Sequence, residues 1–207
     1  MISRFHYLTQ DLANISHQAL IQTACENSID WIQLRIKDKD EATVLQIAQE
    51  AKQITNQYNT TLIINDFVTV AKTVDAHGVH LGKNDMSILA ARKILGDDKI
   101  IGATANTIDD IIQLAKLPIN YIGLGPFRFT STKKQLSPIL GIDGYKNIIE
   151  KINKLNIDIP IIAIGGINFD DVNSLLATGI HGIAVSSAIN LSKDRANAIQ
   201  SFLLFFD

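Results

Sequence analysis

One cysteine and four prolines in 207 residues are a sparse supply of both. A lone thiol, Cys25, closes no internal disulfide and fits a reducing compartment, so a disulfide scaffold is excluded and a cytoplasmic location is expected. Long apolar runs are missing as well. No stretch approaches the ~20 residues needed to cross a bilayer, and Met1–Tyr7 holds no apolar segment of signal-peptide length, so neither membrane insertion nor export is expected. Neither sign of charge is in excess. A net charge of −2 lacks the basic footprint of a nucleic-acid binder, so any anion site must be local. The signatures GxSxG, Walker A and CxxC are absent too, which argues against acyl-enzyme, P-loop and dithiol chemistry. His6, His17, His77 and His181 show no metal-ligand spacing. His80 reads as a satisfied core residue, and Cys25 as a small buried hydrophobe.

What is present is one pattern repeated along the chain. Short apolar runs at Phe5–Leu8, Trp31–Arg35, Thr61–Asn65, Gly78–Leu81, Ile100–Thr104, Tyr121–Leu124, Ile161–Ile164 and Gly182–Val185 predict eight strands. Most are near-continuously apolar, as expected of parallel strands covered by helices outside and packed inside. Between them lie segments of helical period at Ile15–Glu26, Glu41–Tyr58, Phe67–Val74, Ile88–Leu95, Ile108–Lys116, Tyr145–Leu155, Asp170–Thr178 and Ala196–Phe205. Strict alternation with eight strands predicts an α/β fold, a (β/α)8 TIM barrel, with residues 1–207 as a single domain. An open doubly wound sheet is the structural rival. One connection is long, Gly125 to Asp143, against the usual ~4–6 residues, and long loops are disproportionately functional.

In a barrel the C-terminal ends of all strands converge on one mouth, whatever their separation in sequence. Strand two ends in Gln33-Leu34-Arg35-Ile36-Lys37, where a period of two puts an amide, a guanidinium and an ammonium on one side. Turned inward, these cations call for an anion. Turned outward, they pair with Asp38 or Asp40 at the surface. Asp66 follows strand three and Asp85 follows strand four. Singly, each reads as a helix cap; as a pair beside Arg35 and Lys37, they suit a hard cation shared with substrate phosphates. The long loop carries Thr130, Thr132 and Lys133, all able to donate to phosphate. Gly165-Gly166 after strand seven and Ser186-Ser187 after strand eight occupy the usual phosphate position of this fold. Thr104 ends strand five, either facing the mouth or acting as a cap.

Taken in order, Gln33-Leu34-Arg35-Ile36-Lys37, Asn65-Asp66, Gly78-Val79-His80-Leu81-Gly82, Gly123-Leu124-Gly125-Pro126, Thr130-Ser131-Thr132-Lys133 and Ile164-Gly165-Gly166-Ile167 resemble the thiamine-phosphate synthase family over nearly the whole chain. The resemblance implies condensation of 4-amino-2-methyl-5-(diphosphooxymethyl)pyrimidine with a thiazole phosphate, giving thiamine phosphate and pyrophosphate. It also implies that Gln33, Arg35, Lys37, Asn65, Thr104 and Lys133 hold the pyrimidine diphosphate. Asp66 and Asp85 would hold Mg2+, and Thr130, Thr132, Gly166, Ser186 and Ser187 the thiazole phosphate. Arg35, Lys37 and Lys133 would carry the catalytic charge. The chain departs from the family where Thr104 stands for a common serine, Lys83 for a frequent glutamine and His77 for an often acidic residue. The partners expected are small phosphorylated molecules, with no nucleic acid and no membrane; a homo-oligomer is left open. Two other readings share the barrel, a thiazole tautomerase-like isomerase and a non-catalytic phosphate-ligand sensor. Asp66, Asp85 and the Thr130–Lys133 loop argue against the isomerase, and retention of both acids and all the cations against a sensor that kept the pocket and lost the chemistry.

Overall fold

Runs such as Leu62-Ile63-Ile64 are apolar on both sides and can be satisfied only by a layer packed against each face. The structure, a computed structural model describing residues 1–129 and 138–206, supplies both layers. Eight parallel strands, β1 (Phe5–Leu8), β2 (Trp31–Leu34), β3 (Thr61–Asn65), β4 (Gly78–Leu81), β5 (Ile100–Ala105), β6 (Tyr121–Leu124), β7 (Ile161–Ile164) and β8 (Gly182–Val185), close into a barrel in sequence order. Closure is made by β1 against β8, with Phe5 opposite Ile183 and Tyr7 opposite Val185. This is the expected (β/α)8 barrel, and the open-sheet rival is excluded by that pairing. The helices are α1 (His17–Glu26), α2 (Glu41–Gln57), α3 (Val68–Thr73), α4 (Ile88–Leu95), α5 (Ile108–Leu114), α6 (Gly141–Lys154), α7 (Val172–Leu176), α8 (Ser187–Asn190) and α9 (Arg195–Leu203). None of them is long and apolar enough to cross a membrane.

Alternation along each strand divides the core in two. Leu8, Trp31, Ile63, Tyr121, Ile162 and Ala184 fill the barrel interior. Their neighbours, among them Ile32, Leu34, Leu62, Ile64, Val79 and Ile122, face outward under the helices. Each such buried aliphatic side chain contributes about 1.5–3 kcal/mol relative to exposure. Helix starts carry side-chain caps where the sequence offers them. Ser16, Asp40 and Ser87 accept from Ala19, Thr43 and Ala90 N–H groups, and Thr107 with Asp110 forms a capping box.

Most helix ends and two strand ends differ from the sequence pattern by a few residues, and three of these differences have a visible local reason. Strand β2 stops at Leu34 rather than Arg35, because the Arg35 N–H leaves the ladder and donates to Thr9 Oγ1 at 3.0 Å. Helix α6 starts at Gly141, four residues before Tyr145. Its entry is held by backbone bonds from Leu140 N–H to the Pro126 carbonyl and from Gly141 N–H to the Phe127 carbonyl, not by a side-chain cap. The segment before α7 is a single 3-10 turn, Phe169–Asp171, closed by Asn168 and Asp171.

Candidate functional site

Strands β2 and β3 bring amides and cations to one side of the mouth. Buried Gln33 donates from Nε2 to Asn65 Oδ1 at 2.8 Å. The Asn65 amide nitrogen is itself buried with no partner among the described residues, a donor that an incoming acceptor would satisfy. Beyond the last ladder residue, Arg35 is half-buried. Burial pulls its guanidinium pKa below the ordinary value, while Asp66, Asp11 and Asp38 pull it back up. Lys37 reaches across to Asp66, Nζ to Oδ2 at 2.6 Å. Lys37 thus pairs with the carboxylate at the end of the next strand, and Arg35 lies among Asp66, Asp11 and Asp38.

The two acids lie side by side. Asp66 adopts φ +67°, a left-handed conformation that costs a non-glycine residue roughly 1 kcal/mol or more. Its carboxyl pKa is raised, first by burial and then by the hydrogen-bonded Asp85 carboxyl, with Lys37 opposing both. Neither acid caps a helix. The N-cap of α3 is Phe67, without a side-chain bond, and that of α4 is Ser87. Asp85 instead accepts from Gly82 N–H at 2.6 Å, closing the turn after β4. Two adjacent carboxyls, one half-desolvated and pressed by the other, form a donor set that a hard divalent cation would relieve. Among the described residues no group of three or more acids, histidines or cysteines accompanies them. Further ligands would then come from water and substrate oxygens, as Mg2+ prefers. Lys83 does not crowd this pair; it is drawn away to Asp110, Nζ to Oδ2 at 2.6 Å.

Thr104 does not cap a helix either, since Thr107 caps α5. Its hydroxyl sits 3.0 Å from His80 Nε2, and His80 Nδ1 sits 3.0 Å from the Tyr121 hydroxyl. His80 is thus a buried residue with both nitrogens engaged, tying the mouth to the aromatic interior. Tyr121 is fully buried, and burial raises its pKa, so it remains a neutral phenol.

On the opposite side, Gly165 and Gly166 have φ +99° and +70°. A Cβ on Gly166 would lie 2.9 Å from the Phe129 carbonyl oxygen, so the chain there admits only glycine without rearrangement. Ser187 opens α8, and the Ser186 hydroxyl accepts from Asn190 Nδ2 at 3.1 Å, which leaves its own proton to be given elsewhere. Asn190 is fully buried, also donates to the Leu8 carbonyl at 2.9 Å and accepts from the Tyr7 hydroxyl. Arg128, a cation of the long connection, is committed to Asp171 in a two-pronged pair at 2.8 and 2.9 Å. Thr130, Thr132 and Lys133 lie outside the described residues.

The sequence reading assigned nothing to the end of β1, where Thr9, Asp11 and His17 gather beside Arg35 and Lys37. Their position after a barrel strand was the available signal, but an isolated Thr, Asp and His at uneven spacing match no motif. Asn190 was missed for the same reason.

The family described as thiamine monophosphate synthase matches residues 7–189. Thiamine-phosphate synthase of Flavobacterium johnsoniae is 46% identical over 200 residues, covering 97% of this chain and 94% of that protein. The corresponding protein of Flavobacterium psychrophilum is 47% identical, covering 94% of each. Among solved structures, thiamine phosphate pyrophosphorylase from Pyrococcus furiosus superposes with a TM-score of 0.84 at 31% identity, over 96% of this chain and 92% of that one.

Proposed function

The chain belongs to the thiamine monophosphate synthase family and its activity is thiamine-phosphate synthesis; from that premise we propose how the barrel mouth divides the work. One side takes 4-amino-2-methyl-5-(diphosphooxymethyl)pyrimidine and the other a thiazole phosphate, carboxylated or not. The observation that carries the division is the cluster of Arg35, Lys37, Asp66 and Asp85, set apart from the glycine and serine turns after β7 and β8. In the reaction the methylene C–O bond breaks and its electron pair leaves with pyrophosphate. The electron-rich aminopyrimidine ring stabilises the resulting cation, and the thiazole nitrogen lone pair closes the new C–N bond. No proton transfer is needed at the reacting carbon. The protein's part is to hold the two partners in line and to neutralise the leaving charge.

Arg35 offers a planar fork, and Lys37 a mobile point charge, to diphosphate oxygens. Gln33 fixes Asn65, whose unpaired Nδ2–H donates to the same substrate, and Thr104 adds a hydroxyl oriented by His80. Asp66 and Asp85 would hold Mg2+, which when bound supplies charge neutralisation to the departing diphosphate. Lys37, paired with Asp66 here, is close enough to serve the same diphosphate, and a cation held by the acidic pair would supply the charge that balances Asp66. Lys133, Thr130 and Thr132 would act from the connection before α6, and Gly166, Ser186 and Ser187 would receive the thiazole phosphate. The tautomerase-like reading leaves the acidic pair without a role, and the sensor reading leaves the retained acids and cations without chemistry to serve. With its lone buried thiol, the enzyme would work in the reducing cytoplasm.

The test is a coupling assay with purified protein and both substrates, following thiamine phosphate and pyrophosphate. Equimolar products that form only when both substrates are present support the reading. No thiamine phosphate, under conditions where a thiamine-phosphate synthase of proven activity turns over, overturns it.

A further inference from the structure

The loop leaving β1 is bonded to the two cations through their backbone rather than their side chains. The Arg35 N–H donates to Thr9 Oγ1 at 3.0 Å, and the Lys37 N–H donates to Asp11 Oδ2 at 3.1 Å. His17 joins these two acceptors, with Nδ1 2.8 Å from Thr9 Oγ1 and Nε2 3.2 Å from Asp11 Oδ1. The directions are mutually consistent. A carboxylate only accepts, so the Asp11 contact takes the tautomer with N–H at His17 Nε2, and in that tautomer Nδ1 accepts the Thr9 hydroxyl proton. That frees a Thr9 lone pair for the Arg35 N–H. The Thr9 N–H in turn donates to the Gln33 carbonyl at 3.0 Å, continuing the β1–β2 ladder to its last rung.

Ordinary helix capping does not explain this arrangement. Helix α1 is capped by Ser16, whose hydroxyl accepts from Ala19 N–H, so neither Asp11 nor His17 is needed to start it. The network runs from the interior to the surface: Thr9 is fully buried, His17 nearly so, and Asp11 lies at the exposed end. Its effect falls on residues 35–37, past the end of β2, where no sheet ladder is left to define the backbone. A strand that loses its ladder is free to rotate, and one residue of rotation would swing both side chains off the mouth.

We propose that Thr9, Asp11 and His17 form a positioning clamp that holds the backbone of Arg35 and Lys37 extended beyond β2, aiming both cations at the diphosphate. The proposal rests on the reading of the mouth given above. The three are positioning residues and touch no reacting atom. Networks that orient ligand-holding side chains commonly set affinity by about 10–100-fold.

Calorimetric binding of inorganic pyrophosphate with Mg2+ to the full chain tests the clamp and separates it from the functional reading. Wild type that binds no pyrophosphate overturns the functional reading, and the clamp with it. Given wild-type binding, Asp11→Ala and His17→Ala should each weaken affinity about tenfold. His17→Gln keeps a donor directed at Asp11 and should recover most of that loss; where His17→Ala does not fold, Asp11→Ala carries the test. Because Asp11 acts through Lys37, adding Asp11→Ala to Lys37→Ala should weaken binding no further than Lys37→Ala alone. Unchanged affinity in Asp11→Ala, or an Asp11→Ala loss that adds in full to that of Lys37→Ala, overturns the clamp while leaving the functional reading intact.

Discussion

At Gly102 the space that matters is one hydrogen wide. A Cβ there would lie 2.2 Å from Tyr121 Cζ and 2.5 Å from its hydroxyl, and that hydroxyl is the partner of His80. Gly102→Ala must therefore displace the ring that orients His80 and, through it, Thr104. The expected cost is about 1–3 kcal/mol of stability by urea titration, as for other overpacked cores. It should come with a raised KM for the pyrimidine substrate, whereas an unchanged urea midpoint would show that the ring has room to move. His6 makes a second case. It stacks on Trp31 with centroids 4.3 Å apart, and burial, partly offset by its bond to the Ser3 carbonyl, pulls its pKa down to about 3. The unfolded chain binds a proton below pH 6.5 that the folded chain refuses until about pH 3. This part of the stability is present above the unfolded value and is lost as pH falls through that window. His6→Phe keeps an aromatic ring and removes the titration, so the acid-side slope of stability should flatten by up to about 1.4 kcal/mol per pH unit. Parallel curves for wild type and variant would place the acid sensitivity elsewhere.

Among the elements, the short ones depend most on side chains from their neighbours. Helix α8 is four residues long and carries no side-chain cap bond. Its last residue, Asn190, does the anchoring, bonded to the Tyr7 hydroxyl, the Leu8 carbonyl and the Ser186 hydroxyl. Asn190→Ala would leave a buried phenol and a buried carbonyl without partners, at about 1–3 kcal/mol for each unsatisfied group. Guanidinium unfolding should register the loss, and KM for the thiazole phosphate should rise with it. A destabilisation without any change in that KM would mean Asn190 supports the barrel but not the Ser186 turn. Strand β2, also four residues long, follows the same rule and ends where a threonine side chain captures the next N–H; the longer helix α6 instead begins where two loop backbone carbonyls receive its first donors.

Across the whole molecule, the barrel was readable because parallel strands buried on both faces write themselves as unbroken apolar runs, as Leu62-Ile63-Ile64 does. Amphipathic helices announce themselves through their period. Gln33, Arg35 and Lys37 were readable as one group because a strand repeats every two residues. What the linear pattern could not show was contact across the mouth. The end of β2 depends on Thr9, 26 positions earlier, and the Asp66 and Asp85 carboxyls meet in a hydrogen bond only once β3 and β4 are side by side. His80 shows the same limit, since its core character was visible but its two partners, Thr104 and Tyr121, come from different strands.

The central claim is that the acidic pair and the adjoining cations make a metal-assisted diphosphate side of the mouth. It is tested most directly by the rate of pyrophosphate release from both substrates as Mg2+ is titrated, in wild type and in an Asp66→Asn, Asp85→Asn double variant. The account predicts that wild type is silent in chelator and saturates with Mg2+. The double variant should stay folded but lose about 100-fold or more in rate, as when a transition-state charge stabiliser is removed. Equal rates for wild type with and without chelator, or full activity in the double variant, would contradict it.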